Sequence, residues 1–152
     1  LKAVLQRVSS AEITINGEYS NGTIGQGLMV LLGVMEGDEE PQAEFLAKKI
    51  IGLRIFSDCN GKQNLSLQDV EGEILVVSNF TLGADCSHGR RPFYANAAAP
   101  DKAARLYRYF LECLQKEGPK RLVTGVFGAH MDISMTADGP VTVILDTKEL
   151  GK

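Results

Sequence analysis

The run from Met131 to Leu145 constrains the fold more than any other stretch. Met131-Asp132-Ile133-Ser134-Met135 reads as one strand and Val141-Thr142-Val143-Ile144-Leu145 as another. Asp138-Gly139-Pro140 sits between them. Asp and Gly are turn formers, while Pro lacks an N–H and fixes its own φ. An X–Pro bond is also the one peptide bond readily found cis. The segment is therefore a short, stiff projection with an exposed Gly139 carbonyl. The simplest reading is a hairpin turn.

The remaining chain supplies a sheet for these strands. Residues 2–8 and 11–15 read as two strands, the second closed by Asn16-Gly17, a hairpin signal. Asn21-Gly22 repeats that pair. Leu28–Leu32 and Glu73–Val77 are apolar runs of buried strands, and the second leads straight into Ser78-Asn79-Phe80-Thr81-Leu82. Arg54–Phe56, Asn64–Val70 and Leu122–Gly125 are shorter candidates. A first helix starts near Pro41 and carries Ala43, Leu46, Ile50 and Leu53 on one face. A second starts near Pro100, buries Ala103, Leu106, Phe110 and Cys113, and stops at Gly118-Pro119. The tail beyond Asp146 is polar and expected to fray. No βα unit repeats. This pattern predicts a single α+β domain over residues 1–152: a mostly antiparallel curved sheet or open β-barrel with two helices packed on one face.

Composition narrows the function classes. A net charge of −3 argues against strong non-specific nucleic-acid binding, leaving Arg90-Arg91, Lys48-Lys49 and Lys116 with Lys120-Arg121 as local basic patches. No apolar run approaches the length of a membrane helix, and Leu1 to Arg7 lacks a signal-peptide pattern. The missing initiator Met leads us to expect at least one residue before Leu1. Three scattered cysteines, Cys59, Cys86 and Cys113, match no metal or redox spacing. A cytoplasmic protein without metal or cofactor is expected.

Candidate chemistry gathers at three places. Ser78-Asn79-Phe80-Thr81 concentrates hydroxyl and amide groups where a strand meets a loop; the alternative is a strand terminus bonding its own backbone. Phe127 and Met131 line a pocket or fill the core. His88 and His130 belong to no zinc or catalytic motif.

Taken in order, Leu5-Gln6-Arg7-Val8, Leu53-Arg54-Ile55-Phe56, Ser78-Asn79-Phe80-Thr81-Leu82, Gly89-Arg90-Arg91-Pro92, Thr124-Gly125-Val126-Phe127-Gly128-Ala129 and Asp138-Gly139-Pro140-Val141-Thr142 resemble the D-aminoacyl-tRNA deacylases over nearly the whole chain. The resemblance implies a cytosolic homodimer that hydrolyses the ester between a D-amino acid, or glycine, and the terminal adenosine of tRNA. It implies catalytic roles for Ser78, Phe80 and Thr81 and a substrate contact at Asn79; Phe127 and Met131 are the candidates for the substrate pocket. It also implies that Gly139-Pro140, with a cis bond, enters the active site of the other subunit and excludes L side chains. Arg7 would support that motif. The basic pair Arg90 and Arg91 is the candidate tRNA contact. Asn79 stands where the family carries Gln, and Ala137 where Asn is usual. Backbone N–H groups near Phe80 and Thr81 are expected to stay available to an oxyanion. A non-catalytic nucleic-acid-binding dimer is the alternative function.

Overall fold

A computed structural model describes residues 1–152. Its longest early element, β1 (Lys2–Ile15), organises the sheet. One edge of β1 pairs first with β3 (Gly27–Gly33), from Lys2 to Val8, and then with β2 (Tyr19–Ile24), from Ala11 to Ile15. The other edge pairs along nearly its full length with β8 (Met131–Asp146). All three pairings are antiparallel. The β1–β2 turn has positive φ at both Asn16 and Gly17, as its Asn-Gly sequence demands. The second Asn-Gly makes no turn. It lies inside β2 at a break in the register with β1, where Gly22 faces Val123 so closely that a Cβ would stand 2.8 Å from it.

β6 (Glu73–Ser78) and β7 (Arg121–Thr124) extend the sheet beyond β3 in the order β2-β1-β3-β6-β7, and both new pairings are parallel. The crossovers are α1 (Glu40–Gly52), together with the small hairpin β4 (Phe56–Ser57) and β5 (Gln63–Leu65), and α2 (Pro100–Lys116). The fold thus contains two βαβ connections, against the expectation that no βα unit repeats. The signal was present: Leu28–Leu32 and Ile74–Val77 are unbroken apolar runs, the mark of strands covered on both faces. The sheet is mixed, with antiparallel pairs in the majority. It nearly closes, because β2 meets β7 through Gly22 against Val123 and Asn21 Nδ2 donating to Thr124 O.

Alternate residues sort to the two faces. Leu28, Val30 and Leu32 of β3, with Ile74 and Val76 of β6, pack against both helices. Met29, Leu75 and Val77 face the barrel interior with Ile13, Ile15 and Ile24. β1 changes face midway: Ala3 and Leu5 point to the helices, but Val8, Ala11 and Ile13 point inside. An extra residue, Ser9, causes the switch, since Val8 pairs with Ala137 and Ser10 with Thr136. Both helices start with Pro in their first turn, as expected. Leu53 falls just outside α1, in extended backbone. Thr147 is buried and its N–H donates to Leu1 O at 2.9 Å, so the tail does not fray at its first residue.

The Asp138-Gly139-Pro140 segment is not a hairpin turn. The residues on either side pair with the same strand in the same sense, Met135 with Ala11 and Val143 with Leu5. β8 continues in one direction and carries a bulge: Asp138 to Val141 stand opposite the single residue Arg7, between the pairs Gln6–Thr142 and Val8–Ala137. The Gly139–Pro140 peptide is cis, and both residues are exposed.

Candidate active site

β6 ends at Ser78, and the chain turns at once into a 3-10 turn over Phe80–Gly83 instead of continuing as a strand. Asn79 makes this turn. Its N–H donates to Leu32 O at 2.8 Å, and its side-chain Oδ1 accepts from Thr81 N at 3.2 Å and from the Thr81 hydroxyl. Asn is well suited to this capping position, where a short amide reaches the orphan N–H groups of a helical start. The Thr81 N–H is therefore occupied, which corrects the expectation that it stays available. The Phe80 N–H, first in the turn, has no protein partner.

The turn opens onto a cleft of about 860 Å³. Ser78, Asn79, Phe80, Thr81, Phe127 and Met131 all line it, so the structure gathers six sequence-named residues in one place. Arg7, Gly139, Pro140, Arg90 and Arg91 lie outside it. Sequence reasoning missed the opposite wall, made by Tyr94, Ala97–Pro100 and Tyr107. Tyr94 stands edge-on to Phe80, with ring centroids 5.2 Å apart. Tyr107 is tilted against Phe127 at 6.0 Å and donates to Val76 O at 3.1 Å. Burial pushes the Tyr107 phenol well above its usual range. The small residues Ala97-Ala98-Ala99 leave the space that makes the cleft, a hint present in the sequence.

The electrostatics of the cleft are plain. No Asp, Glu, Lys or Arg lines it, and His130 is its one imidazole. That ring is exposed and faces Asp132, with Nε2 3.6 Å from Oδ1. The Thr81 hydroxyl donates to an amide oxygen, which is no base. What the cleft offers a substrate is apolar surface, the hydroxyls of Ser78 and Tyr94, the His130 ring at its edge and the Phe80 N–H.

The bulge is held from β1 by two consecutive side chains. Arg7, 8% exposed, donates from Nη1 to Ile55 O at 2.8 Å and from Nε to Asp138 O at 3.3 Å, with Asp138 Oδ2 3.1 Å from Nε. Gln6 grips the far side: its Nε2 donates to Val141 O at 3.2 Å and its Oε1 accepts from Thr142 Oγ1 at 2.7 Å. Gln6 was not singled out from sequence, although its register opposite Thr142 explains its part. Gly139 has φ +119°, and a Cβ there would stand 3.0 Å from Val141 N.

The sheet, the two crossover helices and a cleft at a strand end belong to one known class. The chain matches the family described as D-Tyr-tRNA(Tyr) deacylase over residues 4–146, and it is a member of that family of enzymes. It is 51% identical over 150 residues to a D-aminoacyl-tRNA deacylase of Thermosipho melanesiensis, covering 99% of both chains. It is 54% identical to one of Dehalococcoides mccartyi, covering 98% of this chain and 96% of the relative. Among solved structures, one described as c-Myc DNA Unwinding Element Binding Protein aligns with TM-score 0.90 and 40% identity over 96% of this chain and 98% of that one. A probable eukaryotic D-amino acid tRNA deacylase shares the fold, with TM-score 0.84 at 18% identity over 95% of this chain and 97% of that one. No helix is long and apolar enough to cross a membrane.

Proposed function

We propose that this chain hydrolyses the ester of D-aminoacyl-tRNA and of glycyl-tRNA, releasing the amino acid and intact tRNA. The observation that carries the reading is the cleft itself: in a chain of this family, it holds a free Phe80 N–H beside Ser78, and no acid or base attached to Thr81. An aminoacyl ester needs little activation, and its own ribose carries a neighbouring 2′-OH. The 2′-OH orients the attacking water, and the Phe80 N–H stabilises the oxyanion, a contribution of about 3–4 kcal/mol for one such donor. Thr81 serves as a wall and local hydrogen-bond partner, not as nucleophile.

Chiral selection falls to Gly139-Pro140. The pair is exposed and lies outside the cleft of its own chain, so we assign it to the cleft of a second copy in a homodimer. A backbone clamp there holds the substrate amino group and leaves no room for an L side chain. Glycine has nothing to clash and passes.

The test measures release of amino acid from D-Tyr-tRNA, Gly-tRNA and L-Tyr-tRNA, together with D-Tyr-tRNA ending in 2′-deoxyadenosine. D-Tyr and Gly should be released, L-Tyr retained, and the 2′-deoxy substrate cleaved slowly. Equal rates for D and L substrates would sink the selectivity reading. A second reading, nucleic-acid binding without catalysis, draws on the structural relative described as binding a DNA unwinding element. It predicts no release from any of these substrates.

A further inference from the structure

The seven residues Cys86–Pro92 form a loop tied at its neck. Asp85 N–H donates to Phe93 O at 2.7 Å, and Phe93 N–H to Asp85 O at 2.9 Å. The loop follows the 3-10 turn and leads directly into Tyr94, so elements that line the cleft flank it on both sides in the chain. Asp85, the one carboxylate at the neck, accepts from Ser87 N–H at 2.9 Å and stands against two arginines. Arg90 and Arg91 are exposed and form no ion pair.

Phe93 is 62% exposed, although Tyr94 beside it is drawn to Phe80. Phe93 pairs with no other aromatic ring. Arg91 lies three residues from Tyr94, at most about 11 Å along the chain. An exposed ring without an aromatic partner and two unpaired guanidinium groups thus lie within four consecutive residues, next in the chain to Tyr94 of the cleft wall. The chain as a whole is net acidic, so attraction for a polyanion is confined to local basic patches, and this one follows directly on the cleft-lining turn. A planar π-surface beside planar cations is the chemistry that takes a base and its flanking phosphates from a single strand.

We infer that the Asp85–Phe93 loop holds the single-stranded 3′ end of the substrate RNA where it leaves the cleft. Phe93 stacks on a base, and Arg90 and Arg91 take phosphates. The inference rests on the cleft binding the terminal aminoacyl-adenosine.

The experiment compares two substrates, D-tyrosyl-tRNA and D-tyrosyl-adenosine; the second has the same ester but no preceding nucleotides. Phe93→Ser, and Arg90→Ser with Arg91→Ser, should each raise KM for the tRNA about tenfold with kcat unchanged. Both should leave hydrolysis of D-tyrosyl-adenosine as in the wild type. The double arginine variant should also flatten the dependence of log kcat/KM on log salt by about 1.4 for two lost phosphate contacts. Equal losses on both substrates, or none on the tRNA, would overturn the role of the loop. Equal competition by an unrelated single-stranded DNA would overturn its assignment to the RNA end. A wild type that cleaves neither ester would overturn the reading of the cleft, and this inference with it.

Discussion

Thr81 is where a single side chain decides the mechanism. Its N–H and its hydroxyl both go to Asn79 Oδ1, so neither faces the substrate as a free group. We expect Thr81→Ala to retain deacylation within about tenfold of wild type, whereas losing a true nucleophile costs on the order of 10⁶ in kcat. A fall of that size, or an aminoacyl-Thr81 adduct caught by mass spectrometry, would restore Thr81 as nucleophile. Asn79→Ala should instead act on stability. It removes the cap of the 3-10 turn and should cost about 1 kcal/mol in urea unfolding. Tyr107→Phe provides a milder comparison. Val76 O also accepts from Gly125 N–H at 3.0 Å, so losing the phenol leaves no orphan and should cost no more than ~1 kcal/mol.

At the scale of elements, the bulge in β8 and its two anchors form one unit. Arg7 is buried and its Nη1 satisfies Ile55 O, while half-exposed Asp138 adds little by charge alone. Arg7→Met should therefore lower stability by about 2–3 kcal/mol, mostly through the lost carbonyl contacts. It should also reduce D-aminoacyl-tRNA hydrolysis beyond what the unfolded fraction explains, because the bulge loses one of its two anchors. Unfolding and deacylation measured on one sample separate these effects; activity that simply tracks the folded fraction would make Arg7 a purely structural residue. The helices were legible because period and Pro placement agree at Ala43, Leu46, Ile50 and at Pro100. The bulge was not, because two strand-like runs around Asp-Gly-Pro look alike whether the chain reverses or continues; the answer lies in β1, more than a hundred residues away. The strand end at Ser78–Thr81 was legible as a place for chemistry. The far wall from Tyr94 to Pro100 was legible only through its run of three alanines, since it belongs to a long connection without periodicity.

Taken as a whole, the molecule under the proposed function separates two halves of one task. The cleft lies between the 3-10 turn and the start of α2, while the Gly139 bulge projects elsewhere from β8. If a twofold dimer brings the bulge of one copy to the cleft of the other, each half can be damaged in a different chain. Gly139→Ala adds a Cβ 3.0 Å from Val141 N at φ +119°, a conformation that costs an L residue on the order of 1–3 kcal/mol and displaces the clamp. Ala129→Trp fills the cleft that Ala129 lines. Each variant alone should be nearly inactive, since each damages both sites of a symmetric dimer. Mixed in equal amounts and allowed to exchange, they form heterodimers with one intact cleft facing one intact bulge. Half of the dimers then carry one working site of two, so activity should recover to about a quarter of wild type. Bulge and cleft acting within one chain would give no recovery at any mixing ratio, and the same samples in sedimentation would show whether subunits had exchanged. Recovery with D-Tyr-tRNA and none with L-Tyr-tRNA would show that the rebuilt sites regain selectivity together with rate.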